Sequence, residues 1–201
     1  MLNLLTFTNS FDHTIAKWAN DVFQSTNEIL LPLLKLITNL GNMGFIFIMI
    51  SLIMIFFKKI RKIGMIVLFS IAIGFVFTNL ILKNVVARPR PFIDETSDYY
   101  LWWKEAGSMI ESGYSFPSGH TTAAMAFGLS LFLCFKKKWS WVFLLIPLIM
   151  GFTRIYFVVH YTTDVLGAIL VGGLSALISY FVIKYIVKVI ESKNKINYQN
   201  G

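Results

Sequence analysis

The stretch IGMIVLFSIAIGFVFTNLIL, residues 63–82, contains no charged residue and ends at Lys83. A helix needs about 20 predominantly apolar residues to cross the hydrocarbon core of a bilayer. This stretch is twenty residues long, which is enough for one membrane-spanning helix. It decides the fold class, because a chain with such a segment is a membrane protein.

Four further apolar runs lie on the two sides of this stretch, and one of them is interrupted only by Arg154. The two shortest runs can be extended into neighbouring neutral residues to reach a spanning length. The four runs cover residues 43–57, 121–135, 139–159 and 165–183. We therefore predict an all-α fold, a polytopic membrane bundle with five transmembrane helices.

The composition excludes several other classes of protein. Of the 201 residues, 56% are hydrophobic and only 14% are charged, whereas soluble domains have roughly 45–50% apolar and about 25% charged residues. The single cysteine, Cys134, cannot form an internal disulfide. The net charge of +8 would suit a nucleic-acid partner only if it formed a patch on a polar domain. The basic residues instead form short clusters between apolar runs, so no nucleic-acid partner is predicted.

The basic clusters predict the orientation of the chain in the cell membrane. Eleven of the eighteen Lys and Arg residues lie in the regions around residues 58–62, 136–138 and 184–195. Five spans place these three regions on one side, and cytoplasmic loops carry an excess of Lys and Arg. Nine of the ten acidic residues lie on the other side. The C-terminus, with a polar tail over 189–201, is therefore predicted to be cytoplasmic, and the N-terminus extracytoplasmic.

The N-terminal segment 1–40 is less apolar than the predicted spans. From Phe11 onward, apolar residues recur at close to helical spacing. Polar residues occupy the other face of this helix: Asp12, Lys17, Asn20 and Asp21. A second short helix follows over Ile29–Leu40. We predict that 1–40 form an interfacial amphipathic segment, in which 29–40 are either interfacial or partly inserted, that 43–188 form the helical core, and that 1–201 make a single domain.

Four basic residues lie apart from the cytoplasmic clusters, at or beyond the predicted outer ends of spans: Lys83, Arg88, Arg90 and Arg154. Lys and Arg near helix ends can extend to the interface without any function. Arg is also the residue that binds phosphoryl oxygens in bidentate geometry, while Lys contributes a point charge. The loop 87–118 that carries two of these arginines is rich in aromatic residues, which favours either an interfacial aromatic belt or a lid over a head group.

The sequence FPSGH, residues 116–120, stands at the outer start of the third predicted span. Ser118 is a good N-cap, and helix N-termini bind anions through free backbone N–H groups. Gly119 allows close approach of the backbone to a ligand. His120 would then lie beside an anion and could donate a proton to a leaving oxygen. A plain helix start would explain the same residues.

A third cluster comprises Arg154, His160 and Asp164. The four-residue spacing brings His160 and Asp164 within reach of each other in a helix or turn. A carboxylate bonded to one imidazole nitrogen fixes the tautomer and leaves the other nitrogen as a base or nucleophile. The alternative is an interfacial histidine beside an aspartate that caps the fifth helix.

Together the three clusters resemble the tripartite signature of the type-2 phosphatidic acid phosphatase superfamily. The motifs are Lys83-x6-Arg90-Pro91, Pro117-Ser118-Gly119-His120 and Arg154-x5-His160-x3-Asp164. Among its members the chain is similar to small bacterial enzymes of the phosphatidylglycerophosphatase B and undecaprenyl-pyrophosphate phosphatase type. Two departures are that Thr153 stands where the third motif usually has Ser, and that such members commonly have six spans.

The resemblance implies an integral-membrane lipid phosphatase that works without a metal or another cofactor through a phosphohistidine. It implies that His160 is the nucleophile, Asp164 its orienting partner and His120 the acid. The phosphate ligands it implies are Lys83, Arg90, Arg154, Ser118 and Gly119. The active site would face the extracytoplasmic side.

The substrate stays open among undecaprenyl pyrophosphate, phosphatidylglycerol phosphate and phosphatidic acid. Arg88 has no place in the motifs, and no protein partner is predicted. The rival interpretation is a transport or lipid-binding membrane protein without chemistry. That interpretation explains clustered cations at a membrane edge, but it does not explain two histidines and an aspartate placed around them.

Overall fold

The computed structural model describes residues 2–26 and 29–199, which form helices and connecting turns without a strand. The predicted interfacial segment includes residues 1, 27 and 28, and the predicted tail ends at residues 200 and 201; these five lie outside the described residues. The α-helices are α1 (Leu2–Ser25), α2 (Leu31–Leu40), α3 (Phe45–Phe56), α4 (Arg61–Phe75), α5 (Lys83–Val86), α6 (Asp98–Glu105), α7 (Gly119–Phe135), α8 (Leu145–Tyr156) and α9 (Thr162–Gln199).

Two helical segments of the described chain are long and apolar enough to cross a membrane. One is Arg61–Val86, in which α4 continues through a π-helical stretch, Val76–Leu82, into α5. The other is Thr162–Lys193 of α9. Helices α2 and α3 meet at a bend of 51° and would make one broken span, whereas Gly119–Phe135 and Ser140–Tyr156 are apolar but shorter. The all-α fold is thus confirmed over the described residues, and the number of five spans stays a prediction.

Helix α7 occupies the centre of the bundle and packs against α4, α8 and α9. Its residues Ala124, Ala126 and Phe127 are buried, and so is Val67 of α4. Small residues allow close packing of helix backbones in membranes. A Cβ atom on Gly172 of α9 would lie 2.5 Å from the carbonyl oxygen of Thr122, so α9 could not lie this close to α7 with a larger residue there. The tight contact between these helices fixes the start of α7 relative to the start of α9.

Helix α1 lies against α8 and α9, and its buried face differs from the predicted one. Asp12 is 1% exposed and shares the buried face with Ala16, Ala19 and Phe23. The prediction that Asp12 lies on the polar, outward face is therefore wrong, whereas the exposed Lys17 fits it. The physical reason is that the Asp12 carboxylate has an arginine partner inside the protein, Arg88.

The aromatic loop 87–118 packs as an ordered segment against the end of the bundle. Ser97 caps the short helix α6 by accepting a hydrogen bond from the backbone N–H of Tyr100. The rings of Phe92 and Trp103 stack at 4.8 Å, and Tyr99 lies 5.3 Å from the ring of Tyr161. The loop therefore covers the turn that leads into α9, and it brings residues 110–113 towards the starts of α7 and α9.

Candidate active site

A cavity of about 400 Å³ opens where α5, α7 and the turn before α9 meet. Ionisable side chains line one part of it, while apolar residues of α4 and α7 line another part. The ionisable residues at the cavity are Lys83, Arg90, Glu111, His120 and His160, and the apolar ones include Ile71, Gly74, Phe75 and Ala123. The cavity is therefore suited to a molecule that has an anionic group and an apolar chain.

His160 lies in the turn between α8 and α9 and is 3% exposed. Its Nε2 atom is on the cavity side, 3.4 Å from Nη1 of Arg90. Its Nδ1 atom lies 3.4 Å from Oδ2 of Asp164, but the geometry does not meet that of a hydrogen bond. Catalytic hydrogen bonds are often long in structures without substrate. The imidazole thus presents one nitrogen to the cavity and the other to a carboxylate.

The charge state of His160 follows from its burial. Burial, aided by Arg154 and Arg90 and opposed by Asp164, lowers the pKa of His160 to about 4. The imidazole is then neutral at pH 7, as a nucleophile or base must be. Asp164 also accepts a hydrogen bond from the backbone N–H of Tyr161 at 2.9 Å. It therefore caps α9 and faces His160 at once, so the cap that one interpretation predicts does not exclude the catalytic pair that the other predicts.

Helix α7 begins at Gly119, where the sequence predicted a helix start. Ser118 is buried and does not line the cavity, and its hydroxyl accepts a hydrogen bond from Oγ1 of Thr121 at 3.1 Å. Gly119 does line the cavity, where a Cβ atom would lie 3.5 Å from Oδ1 of Asn79 and 4.0 Å from Nζ of Lys83. His120, on the first turn of α7, also lines the cavity. The FPSGH segment thus contributes a helix cap, a close backbone approach and an imidazole.

Arg90 is held by three backbone carbonyls of neighbouring turns. Nη2 donates to Ser112 at 2.8 Å, Nε to Gly113 at 2.9 Å and Nη1 to Val159 at 3.0 Å. Burial lowers the pKa of this guanidinium, and the nearby Arg154 acts in the same direction while Glu111 opposes it. A side chain fixed by three bonds has lost its rotamer freedom before any ligand binds, so binding an anion there costs little further ordering.

Arg154 is fully buried and stands behind the cavity wall rather than in it. Its guanidinium donates to the hydroxyl of Thr38 on α2 and to the carboxylate of Glu111. The hydroxyl of the neighbouring Thr153 donates to the carbonyl of Met150 within the same helix, at 2.7 Å. Thr153 therefore supports α8, and its hydroxyl does not reach the cavity.

Glu111, a residue of the aromatic loop that was not predicted from the sequence, lies inside the cavity. Its carboxylate pairs with Arg154 and lies 3.8 Å from Nη2 of Arg90. Burial raises the pKa of Glu111, but Arg154, His120 and Arg90 together outweigh this effect, and the pKa is lowered. The carboxylate is thus ionised at neutral pH, and its single negative charge pairs with Arg154 and offsets part of the charge of Arg90. No periodicity or motif marks Glu111; the only signal was an acidic residue between two cationic motifs.

The candidate functional residues therefore fall into two groups. Residues at the cavity surface are Lys83, Arg90, Glu111, Gly119, His120 and His160. Residues that stand behind it are Ser118, Arg154 and Asp164, all buried. Arg88, which had no place in the motifs, donates to Oδ1 of Asp164 at 2.7 Å. Among the described residues no group of three His, Cys, Asp or Glu side chains is arranged to hold a metal ion.

A comparison with protein families matches residues 63–188 to the PAP2 superfamily. The chain belongs to the PAP2 superfamily. The family resemblance predicted from the three motifs is thereby confirmed, and the matched residues run from α4 into α9.

Two curated PAP2 relatives show how far the similarity extends. An undecaprenyl-diphosphatase of Sulfolobus acidocaldarius is 30% identical over 64% of this chain and 59% of its own length. Phosphatidylglycerophosphatase B of Bacillus subtilis is 30% identical over 87% of this chain and 82% of its own length. The chain spans about half the length, or less, of several other curated relatives that it matches.

A solved PAP2 structure has the same fold. It is a transmembrane PAP2 type phosphatidylglycerolphosphate phosphatase from Bacillus subtilis, with a TM-score of 0.57 and 24% identity. The match covers 94% of this chain and 96% of that one. The apolar helices and these relatives make the chain a membrane protein.

Proposed function

We propose that this protein is an integral-membrane phosphatase that hydrolyses the phosphate or pyrophosphate group of a lipid. The observation that carries the proposal is the cavity itself. It joins two histidines and two cationic side chains to an apolar wall formed by Ile71, Phe75 and Ala123. A soluble phosphate ester has no apolar chain to pack against that wall, whereas the hydrocarbon chain of a lipid can contact it where the chain leaves the cavity.

The first chemical step is attack on the phosphorus atom by Nε2 of neutral His160, the nitrogen that faces the cavity. A nitrogen–phosphorus bond forms, the bond from phosphorus to the lipid oxygen or the bridging oxygen breaks, and His120 gives that oxygen its proton. Asp164 stabilises the positive charge that develops on the imidazole of His160. Two easier steps replace one difficult step, as in other covalent mechanisms.

The second step is hydrolysis of the phosphohistidine. Water attacks phosphorus and gives a proton to His120, and the nitrogen–phosphorus bond breaks, so that inorganic phosphate leaves and both histidines return to their first state. Phosphoryl transfer depends mostly on positioning and on stabilisation of charge. Lys83, Arg90 and the backbone N–H of Gly119 provide that charge from this chain, without a metal ion.

The resting site holds an anion of its own, the carboxylate of Glu111. It lies against Arg154 and Arg90, the two arginines that the family motifs assign to phosphate. We expect the phosphoryl group to take over these partners when the substrate enters and Glu111 to move aside. Arg154 then comes into contact with the phosphoryl group only after that exchange.

The direction of the helices supports five spans and one face for the site. Lys83 lies in the last turn of a long span, His120 in the first turn of α7, Arg154 in the last turn of α8 and Asp164 in the first turn of α9. Such an alternation of ends and starts occurs when successive helices cross in opposite directions. The proposed spans are Leu31–Phe56 as a broken helix, Arg61–Val86, Gly119–Phe135, Ser140–Tyr156 and Thr162–Lys193. With the basic clusters cytoplasmic, the site faces the extracytoplasmic side.

The substrate is proposed at the level of lipid phosphates and pyrophosphates. The names of the relatives point to undecaprenyl diphosphate and phosphatidylglycerophosphate, and phosphatidic acid has the same head-group chemistry. Release of inorganic phosphate from each of these three lipids by the purified protein, in detergent and in excess EDTA, identifies the preferred one. Turnover that stops in EDTA and returns with a divalent cation would contradict the metal-independent mechanism.

The decisive test compares two histidines of this chain. His160→Ala should abolish turnover and the acid-labile, base-stable label that radioactive substrate leaves on the protein. His13→Ala is the matched control, because His13 pairs with Asp98 at the surface and lies away from the cavity. Normal labelling of His160→Ala would overturn the assignment, and lipid binding without any turnover by the unmodified protein would favour the non-enzymatic interpretation.

A further inference from the structure

We propose that Asp12 and Arg88 are positioning residues for the reaction, which hold Asp164 against His160. Helix α1 then contributes a residue, Asp12, to the catalytic arrangement, although this helix precedes the residues that match the PAP2 superfamily. The proposal rests on the proposed function, since it concerns the carboxylate that serves the nucleophile. The two residues lie 76 positions apart in the sequence and meet inside the protein.

Arg88 connects two buried carboxylates. Nη1 donates to Oδ1 of Asp164 and to the hydroxyl of Thr163, both at 2.7 Å, and Nη2 donates to Oδ2 of Asp12 at 2.8 Å. The Cζ atom of the guanidinium lies over the ring of Tyr161, 3.7 Å from its centroid. A guanidinium can bond two separate carboxylates through its two terminal nitrogens while it lies over an aromatic ring, and lysine cannot reproduce this arrangement. The position of Arg88 is thus fixed on three sides.

Asp12 fixes the arginine and also the start of α9. Its Oδ1 atom accepts a hydrogen bond from the backbone N–H of Thr163 at 2.7 Å, and Oδ2 accepts one from the hydroxyl of Thr163 at 2.7 Å. The first N–H groups of a helix need partners outside the helix. The Asp12 carboxylate of α1 therefore caps the N-terminus of α9. It connects the two helices at Thr163, one residue before Asp164.

The consequence for catalysis is that both oxygens of Asp164 are set in place. Oδ1 is held by Arg88, and Oδ2 faces Nδ1 of His160 at 3.4 Å. Asp164 is fully buried and the Asp12 side chain is 1% exposed. A buried carboxylate without a partner is costly, so Arg88 keeps Asp164 ionised and aimed at the imidazole. When a residue that orients a catalytic side chain through hydrogen bonds is removed, activity commonly falls by about 10–100-fold.

The expected signature is a loss of kcat with little change in KM. Neither Asp12 nor Arg88 lines the cavity, so their removal should leave binding of the lipid phosphate as it is. We expect Asp12→Asn and Arg88→Met each to lower kcat by about 10–100-fold. Arg88→Lys should recover only part of the loss. The matched control is Asp21→Asn, which removes a carboxylate from the exposed side of the same helix.

A double-mutant cycle separates positioning from mere structural support. If Arg88 acts through Asp164, Arg88→Met should cause no further loss of kcat in an Asp164→Asn protein, because the effects of substitutions at interacting residues are not additive. The proposal would be overturned if the fold-losses of kcat in the two single variants multiplied in the double variant, or if kcat were unchanged in Asp12→Asn. A cooperative thermal unfolding transition of each full-length variant in detergent is the control for correct folding. If Arg88→Met does not fold, the proposal is tested with Asp12→Asn alone.

The failure of this proposal differs from failure of the proposed function. Full activity of His160→Ala would remove the proposed mechanism, whatever Asp12 and Arg88 do. An inactive His160→Ala together with unaffected Asp12→Asn and Arg88→Met would remove only the positioning role. Raised KM with unchanged kcat in both variants would also contradict it, because that result places them at the lipid phosphate.

Discussion

Replacement of Glu111 by glutamine should make the protein bind phosphate-like anions more tightly. In the free protein the Glu111 carboxylate neutralises Arg154 and lies 3.8 Å from Arg90. A phosphoryl group that binds to these arginines has to displace it. Gln keeps the size and the hydrogen-bonding oxygen of the side chain and removes only its charge. The change therefore tests whether the arginines are the anion site.

The size of the effect follows from the bond that must be broken. A hydrogen bond to a charged group contributes about 1.5–3 kcal/mol. Since 1.4 kcal/mol corresponds to a factor of ten, complete removal of the competing charge would improve anion binding by about 10-fold to about 100-fold. The Glu111 side chain is 23% exposed, so water weakens the pair and the lower end of this range is expected.

The assay is inhibition by orthovanadate, which imitates the transferring phosphoryl group, since analogues of a transition state bind tightly. The inhibition constant should fall in Glu111→Gln, while Glu95→Gln, an exposed carboxylate of the same loop, should leave it unchanged. Thermal unfolding provides a second measurement. Removing one partner of a buried pair is destabilising, so Glu111→Gln without a ligand should unfold at a lower temperature than the unmodified protein. Orthovanadate should raise the unfolding temperature of Glu111→Gln by more than it raises that of the unmodified protein.

The reasoning is refuted if orthovanadate inhibits Glu111→Gln no better than the unmodified protein. That outcome would mean that the phosphoryl group binds elsewhere in the cavity and that the pair with Arg154 only supports the loop. A weaker inhibition would mean that Glu111 itself takes part in binding the anion. Because the pKa of Glu111 is lowered, its carboxylate stays ionised at neutral pH, so the assay is done there.

Further predictions concern the catalytic pair and the topology. Asp164→Asn should lower kcat by about 10²–10⁴-fold, the effect of losing a positioned acid–base partner, and a smaller loss in the phosphate-release assay would contradict its role. Since the pKa of His160 is lowered to about 4, its imidazole should stay neutral as pH falls through 6.5, and the ¹⁵N NMR signal that His160→Ala removes should not titrate until well below that value. In a Cys134→Ser protein, Ser10→Cys should react with an impermeant thiol reagent in intact cells and Lys188→Cys should not. Labelling of both or of neither would contradict the orientation.

The sequence allowed the helical fold and the set of motif residues to be predicted. Apolar runs of spanning length locate helices without any knowledge of their contacts, because the requirement for length comes from the bilayer. The start of α7 at Gly119 was readable from the capping serine before it. The number of spans was less readable, because several apolar helices are shorter than a bilayer requires or are bent. Length alone does not decide whether such helices cross a membrane.

The error at Asp12 has a definite physical cause. In an amphipathic helix a carboxylate is expected on the solvated face, because burial of an unpaired charge is unfavourable. That expectation fails when the partner comes from a distant part of the chain, as Arg88 does. Helical periodicity contains no information about such a partner. The buried face of α1 could be identified only after the start of α9 and the loop before Arg90 had been placed beside it.

Charge balance explains why two of the site residues that the motifs do not contain, Asp12 and Glu111, are acidic. The family motifs contain the cations and imidazoles that we propose bind the substrate, but the free protein must neutralise buried guanidinium groups before any substrate arrives. In this structure Glu111 neutralises Arg154, while Asp12 and Asp164 neutralise Arg88. An acidic residue on the same side of the membrane as a cluster of arginines is therefore a candidate for the site even when no motif contains it. In the proposed mechanism Glu111 yields its partners to the phosphoryl group, whereas Asp12 keeps its partner throughout. These two proposed roles predict opposite effects of removing the carboxylate: tighter anion binding at Glu111 and slower turnover at Asp12.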